Sequence, residues 1–229
     1  MKPTLNEFLR ATDLDELLSL RQKLGDVDET DQEIIAGLLI DWADTQAVAN
    51  LLMYPRLIPR GQVLRHLLSA FRDDNSYLAL AAIVGIQPLG DGFFTAGHQE
   101  QLVDILIEKL SAPEFDIVQR ASVTLVGFIK ADDMAKLALF FNHDDESVRH
   151  NVVVAHVNAL GLPATVEVLR EVLANRPLAD ASRQFLETRL AEAIEVAADS
   201  DPERKWRSNL VAPLLGYIPN LSAWKPPAN

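Results

Sequence analysis

The chain has 229 residues, of which 48% are hydrophobic and 24% charged, proportions that exclude wholesale disorder and suffice for one sizeable core. A formal net charge of −12 and a pI of about 4.8 argue against broad attraction to phosphate backbones, and so against nucleic acid as a partner. There is no cysteine, which rules out disulfides, thiolate metal sites and a cysteine nucleophile.

The first fifty residues hold eleven Asp or Glu against four Lys or Arg, a net of −7. The segment Met1 to Phe8 has no apolar core of signal-peptide length, and no later segment reaches about 18 uninterrupted apolar residues. The expected location is the cytoplasm, with no membrane partner. Thr4 and Asp13 are candidate N-caps, and Asp13-Leu14-Asp15-Glu16 has the form of a capping box. Two short helices are therefore expected to open the chain. After the acidic turn that follows Gly25, Ile34, Ile35, Leu38, Leu39 and Trp42 recur at helical spacing. Pro55 and Pro59 bracket a break, and Val63, Leu64, Leu67, Leu68 and Phe71 mark the next amphipathic helix.

From Asp73 to Gly161 a pattern recurs: an acidic turn, a nearly all-apolar segment, then an amphipathic one. The apolar segments start at Asp74-Asn75-Ser76, Asp116-Ile117-Val118 and Asp145-Glu146-Ser147. Leu80–Ile86, Val123–Ile129 and Val152–Val157 are β-branched enough to be buried strands of an α/β fold. Their acidic caps and their length between breakers favour helices buried all round. The amphipathic partners are clear: Leu102, Ile105, Leu106 and Leu110 share a face, as do Met134, Leu137, Ala138 and Phe141, and Leu162, Val166, Leu169 and Leu173. Pro177 to Ala198 reads as a last long helix with Phe185, Leu186, Leu190, Ala193, Ile194 and Ala197 on its apolar side.

The spacing is 30 residues from Val118 to Val148 and 42 from Ala79 to Ala121, the excess lying in the loop Gln87 to His98. Here the chain resembles the HEAT-repeat family, whose second helix tends to begin Asp-x-Val-Arg. Asp145-Glu146-Ser147-Val148-Arg149 carries one residue too many before Val148, Asp116-Ile117-Val118-Gln119-Arg120 has Arg one place late, and the Asp74 segment has none. The resemblance covers residues 60–195 and implies an all-α, right-handed solenoid of stacked helix pairs, because one such pair cannot bury its apolar face alone. The expected organisation is one domain, 1–229, with N-terminal helices over 1–58, repeats over 59–198 and a Pro-rich tail, 199–229, that caps the stack or meets a partner.

Arg120, Arg149 and Arg183 recur near the starts of inner helices. They either pair with acids such as Asp116, Asp145 or Asp180, or line a groove that holds a client. His156 sits inside an apolar helix, as a core or a groove histidine. Gly90-Asp91-Gly92 stands in the one long loop beside Phe93 and Phe94, which makes Asp91, Phe93 and Phe94 loop candidates for a partner contact or parts of a simple turn. No two histidines stand four residues apart, and His143-Asp144-Asp145-Glu146 reads as a helix cap. Neither a metal, a cofactor nor a catalytic constellation is expected. Helical solenoids are mostly binding surfaces, so the leading expectation is a non-catalytic module that holds a polypeptide client on its concave face. An acidic surface suits a basic client. At the level of repeats the chain is also similar to HEAT-like bilin lyases or lyase-chaperones and, less closely, to HEAT-like DNA glycosylases, whose basic groove the charge count does not supply.

Overall fold

The computed structural model describes residues 3–198 except residue 26 and residues 90–92, and among these every regular element is helical. The three β-branched segments are helices, so the fold is all-α and the α/β alternative falls. The described residues form two compact units, one ending at His98 and one starting at Gln99.

The first unit opens with α1 (Pro3–Arg10) and α2 (Leu14–Lys23), followed by α3 (Glu29–Asp41) and α4 (Thr45–Met53). A single 3-10 turn (Pro55–Leu57) leads to α5 (Arg60–Arg72) and α6 (Ser76–Ile86). Three of these helices start on an aspartate: Asp13 accepts the Glu16 amide at 2.9 Å, Asp28 that of Asp31 at 2.9 Å, and Asp44 that of Ala47 at 3.0 Å. Each bond satisfies one of the amides that a helix start leaves orphaned. Thr4, expected as a cap, lies inside α1, because Pro3 already takes the first helical position, where a missing N–H costs nothing.

Trp42 ends α3 in the left-handed region (φ 53°), an uncommon place for a bulky residue. Its indole Nε1 donates to the Leu39 carbonyl at 2.9 Å, which helps hold that conformation. The stop makes room for α4, an element that the periodicity of Ile34 to Trp42 does not announce. α6 packs on α4 and α5, and α1 packs on α4. Sandwiched in this way, α6 buries every residue from Tyr77 to Ile83 together with Gly85 and Ile86, as expected of a helix apolar all round. One buried amide ties the unit together. Asn50 Nδ2 donates to the carbonyls of Phe8 (2.8 Å), Leu9 (3.2 Å) and Ala11 (2.9 Å), groups that the end of α1 leaves without helical partners.

The second unit contains most of α7 (Ala96–Lys109), then α8 (Phe115–Phe128), α9 (Met134–Leu137), α10 (Glu146–Leu160), α11 (Leu162–Asn175) and α12 (Asp180–Ala197). α10 is its centre, packing on α8, α11 and α12. It is capped by Asp145, which accepts the Ser147 amide at 2.7 Å, and closed by Gly161 at φ 83°, a conformation that favours glycine. Two expectations are corrected. The helix foreseen over Met134 to Phe141 is a four-residue α turn running into a 3-10 helix (Ala138–Asn142). Met134, Leu137 and Phe141 are still buried, while Leu139 is 75% exposed. The last helix starts at Asp180, and its buried residues are Ser182, Phe185, Leu186, Ala193 and Val196. Ile194 and Ala197, expected inside, are exposed, so the apolar stripe is rotated toward Val196.

The tail from 199, expected as a cap, lies outside the described residues. Among the described residues no helix is long and apolar enough to cross a membrane.

Candidate functional site

The arginines singled out in the sequence do not stand in a solvent-facing row. Arg149 is 4% exposed. Its Nη1 donates to the carbonyls of His143 at 2.5 Å and Asp144 at 2.9 Å, so the guanidinium fastens the turn that precedes its own helix. Its acidic neighbour is Glu146, at 4.0 Å, rather than Asp145. The same guanidinium lies 5.2 Å from the centre of the Phe185 ring, and Arg189 approaches that ring at 5.1 Å, so two cations share one aromatic side chain. Arg183 is half-buried and donates to the Leu173 carbonyl at 3.1 Å, tying α12 to the end of α11. Arg120 is buried in α8, where Nε and Nη2 have no hydrogen-bond partner. Burial holds its guanidinium below the ordinary arginine range, with Asp116 acting in the opposite direction.

His156 is a core residue. Its Nδ1 lies 2.8 Å from the Val152 carbonyl and its ring packs on Phe141 with centroids 4.8 Å apart. Burial pushes its pKa down, and the Val152 carbonyl opposes that shift. Asp145, read as a cap, does more than the sequence announces: it also takes a hydrogen bond from Gln119 Nε2 of α8. Nearby, Asn151 Nδ2 donates to Ser122 Oγ at 2.8 Å. The α8–α10 seam therefore carries a polar bridge that apolar periodicity does not reveal. His143 Nδ1 accepts the Asp145 amide at 3.0 Å while Nε2 faces the Leu110 carbonyl at 3.2 Å. Among the described residues no cluster of His, Asp and Glu could hold a metal ion.

The first unit contains a cleft of about 690 Å³ between the turn after α2, the end of α4 and the start of α5. Leu57, Ile58, Val27 and Phe93 give it apolar walls, and Tyr54, Arg56 and Arg60 line it as well. A smaller lobe of about 130 Å³ shares Tyr54 and Arg56 and adds Arg21, Pro55 and Leu89. Pro55, the first residue of the 3-10 turn, and Pro59, just before α5, fix φ there, which sets where Arg56 and Arg60 leave the backbone. Two cations rest on aromatic faces here: Arg21 lies 4.9 Å from the Tyr54 ring centre and Arg60 lies 5.1 Å from that of Phe93. Arg60 Nη2 also donates to the Phe93 carbonyl at 3.0 Å. Of the loop candidates, Phe93 lines the cleft, Phe94 meets it edge-on at 5.0 Å, and Asp91 lies outside the described residues. Arg21, Tyr54, Arg56 and Arg60 were not singled out in the sequence. The available signal was Pro55-Arg56-Leu57-Ile58-Pro59-Arg60, which reads as punctuation when taken alone.

No family model matches the chain, and no curated protein matches it. Among solved structures, the crystal structure of an engineered protein is similar at 16% identity with a TM-score of 0.48, over 85% of this chain and 97% of that one. That likeness is too loose to bear on fold or function.

Proposed function

We propose that the chain is a non-catalytic protein-binding module, a HEAT-like, right-handed stack of helix pairs that holds a polypeptide client on its concave face. The observation that carries the reading is the composition of the cleft in the first unit. Tyr, Phe and Arg are the side chains enriched at the centres of protein interfaces, and here Tyr54, Phe93, Arg21, Arg56 and Arg60 surround walls of Leu and Ile. Helix-on-helix packing in the second unit, α10 on α11 and α11 on α12, supports the repeat architecture. A net charge of −12 favours a polypeptide over a nucleic acid as the partner.

The test is affinity capture from the source cells at low and high salt, followed by direct calorimetric binding of each captured protein to the purified chain. A client that binds the parent and loses affinity for a Tyr54→Ala, Phe93→Ala variant is the expected result. The reading is abandoned if no captured protein binds the purified chain directly, or if the retained material is nucleic acid.

A further inference from the structure

Together with the smaller cavity beside it, the cleft gathers three arginines in a chain that is acidic overall. Acidic residues outnumber basic ones in this chain, 33 to 21. Some basic side chains elsewhere pair with them, Lys136 with Asp104 and Asp133, Arg170 with Glu167, and Arg189 with Glu192, while others, such as Arg120 and Arg183, do not. Arg21 and Arg56 have no carboxylate partner among the described residues, and the described lining of both lobes contains neither Asp nor Glu. Two guanidinium groups thus stand around Tyr54 without a carboxylate partner among the described residues.

Their arrangement suits carboxylate recognition. The Arg21 guanidinium lies over the Tyr54 ring at 4.9 Å, a contact that uses none of its N–H donors, and arginine binds carboxylates through two parallel N–H bonds. Arg56, exposed, lines both cavities. Arg60 is engaged with the ring and carbonyl of Phe93, so it shapes the wall. Beside the cations, Leu57 and Ile58 supply an apolar floor that is itself buried.

We infer that this cleft binds an acidic, apolar-anchored segment of the client: a stretch of polypeptide that seats Leu, Ile or Phe against Ile58 and Phe93 and presents Asp or Glu to Arg21 and Arg56. The cleft, at about 690 Å³, exceeds the volume of any single side chain, and it shares Tyr54 and Arg56 with the smaller cavity, so the occupant spans several residues. This inference rests on the protein-binding reading above and names the chemistry of the segment.

The experiment is selection of a random dodecapeptide display library on the full chain, with the winners then measured as synthetic peptides by fluorescence anisotropy. The expected winners combine Asp or Glu with Leu, Ile or Phe. Their affinity should fall about tenfold or more in an Arg21→Glu, Arg56→Glu variant, and it should weaken as salt rises. Both arginines reach solvent, so the variant should keep the parent's helix content; an Arg21→Gln, Arg56→Gln variant replaces it if it does not. Winners that are basic or uncharged, winners that bind the variants as tightly as the parent, or a selection without enrichment would each overturn the inference. The wider reading would then stand or fall on whether a captured client binds the purified chain.

Discussion

Gly85 of α6 approaches the backbone of α4 so closely that a Cβ built on it would stand 1.8 Å from the Leu52 carbonyl oxygen and 2.9 Å from the carbon that bears it. The obstacle is backbone, so no side-chain rotation relieves it. Gly85→Ala should therefore force α4 and α6 apart and destabilise the first unit by about 3 kcal/mol or more. The check is the urea midpoint, with Gly37→Ala as the comparison, since nothing lies within 4 Å of a Cβ there. Glycine in a helix interior is worth about 1 kcal/mol less than alanine, so that substitution should raise the midpoint.

Asn50→Ala should cost roughly 2–3 kcal/mol, because it leaves buried carbonyls of α1 without their donor. Gln46 Nε2 still reaches the Ala11 carbonyl at 3.1 Å and the Ala11 amide still reaches the Phe8 carbonyl at 3.4 Å, so the loss falls mainly on Leu9. Amide hydrogen exchange should accelerate in α1 before it does in α6.

In the second unit, Arg149→Met should lower stability by about 3 kcal/mol, because the carbonyls of His143 and Asp144 lose a charged donor inside the protein. Arg170→Gln removes an exposed ion pair with Glu167 and should change stability by less than about 0.5 kcal/mol. Charge reversal at Arg120, Arg149 and Arg183 together should unfold the unit, since it buries new carboxylates, and helix content by circular dichroism reads that outcome. A triple variant that keeps its fold would show that the row is accessible after all.

Two buried histidines make stability depend on pH. Burial, assisted by Arg65, lowers the pKa of His66, and burial lowers that of His156. The unfolded chain then takes up protons near the ordinary value of about 6.5 while the folded chain stays neutral, so unfolding is favoured as pH falls. Stability should be full above that value and should decline as pH drops through and below it. The urea midpoint should be lower at about pH 5.5 than at about pH 7.5, and the difference should shrink in a His66→Gln, His156→Gln variant.

Local signals carried the sequence a long way. The aspartate at residue 13 caps α2, the one at 145 caps α10, and the Val-rich stretches are helices because tertiary burial on all sides overrides their β-propensity. Where the reading failed, the cause was competition between groups distant in the chain or in subtle balance locally. The chain after Leu137 tightens into 3-10 geometry while still burying Phe141, and spacing alone does not separate that from an α-helix. Val196 rather than Ile194 faces the core of α12, which depends on what packs there. The pairing of Arg21 with Tyr54 joins α2 to the residue after α4, with α3 and α4 between them in the chain, and has no local signature at all. The all-α class was therefore legible in the sequence, whereas the cleft had to be seen in three dimensions.

The burial of α10 has a consequence for the unfolded chain. Val152-Val153-Val154-Ala155-His156-Val157 is wholly enclosed in the native state, and nothing in it discourages intermolecular pairing: it has no proline, no formal charge at neutral pH and four β-branched residues. Such a segment, once released, has the composition of a steric zipper. Refolding from denaturant should thus be a race between closing α8, α11 and α12 around this stretch and its self-association. Yield should fall as protein concentration rises, and a single lysine placed at Val153 should slow the aggregation even as it weakens the native state.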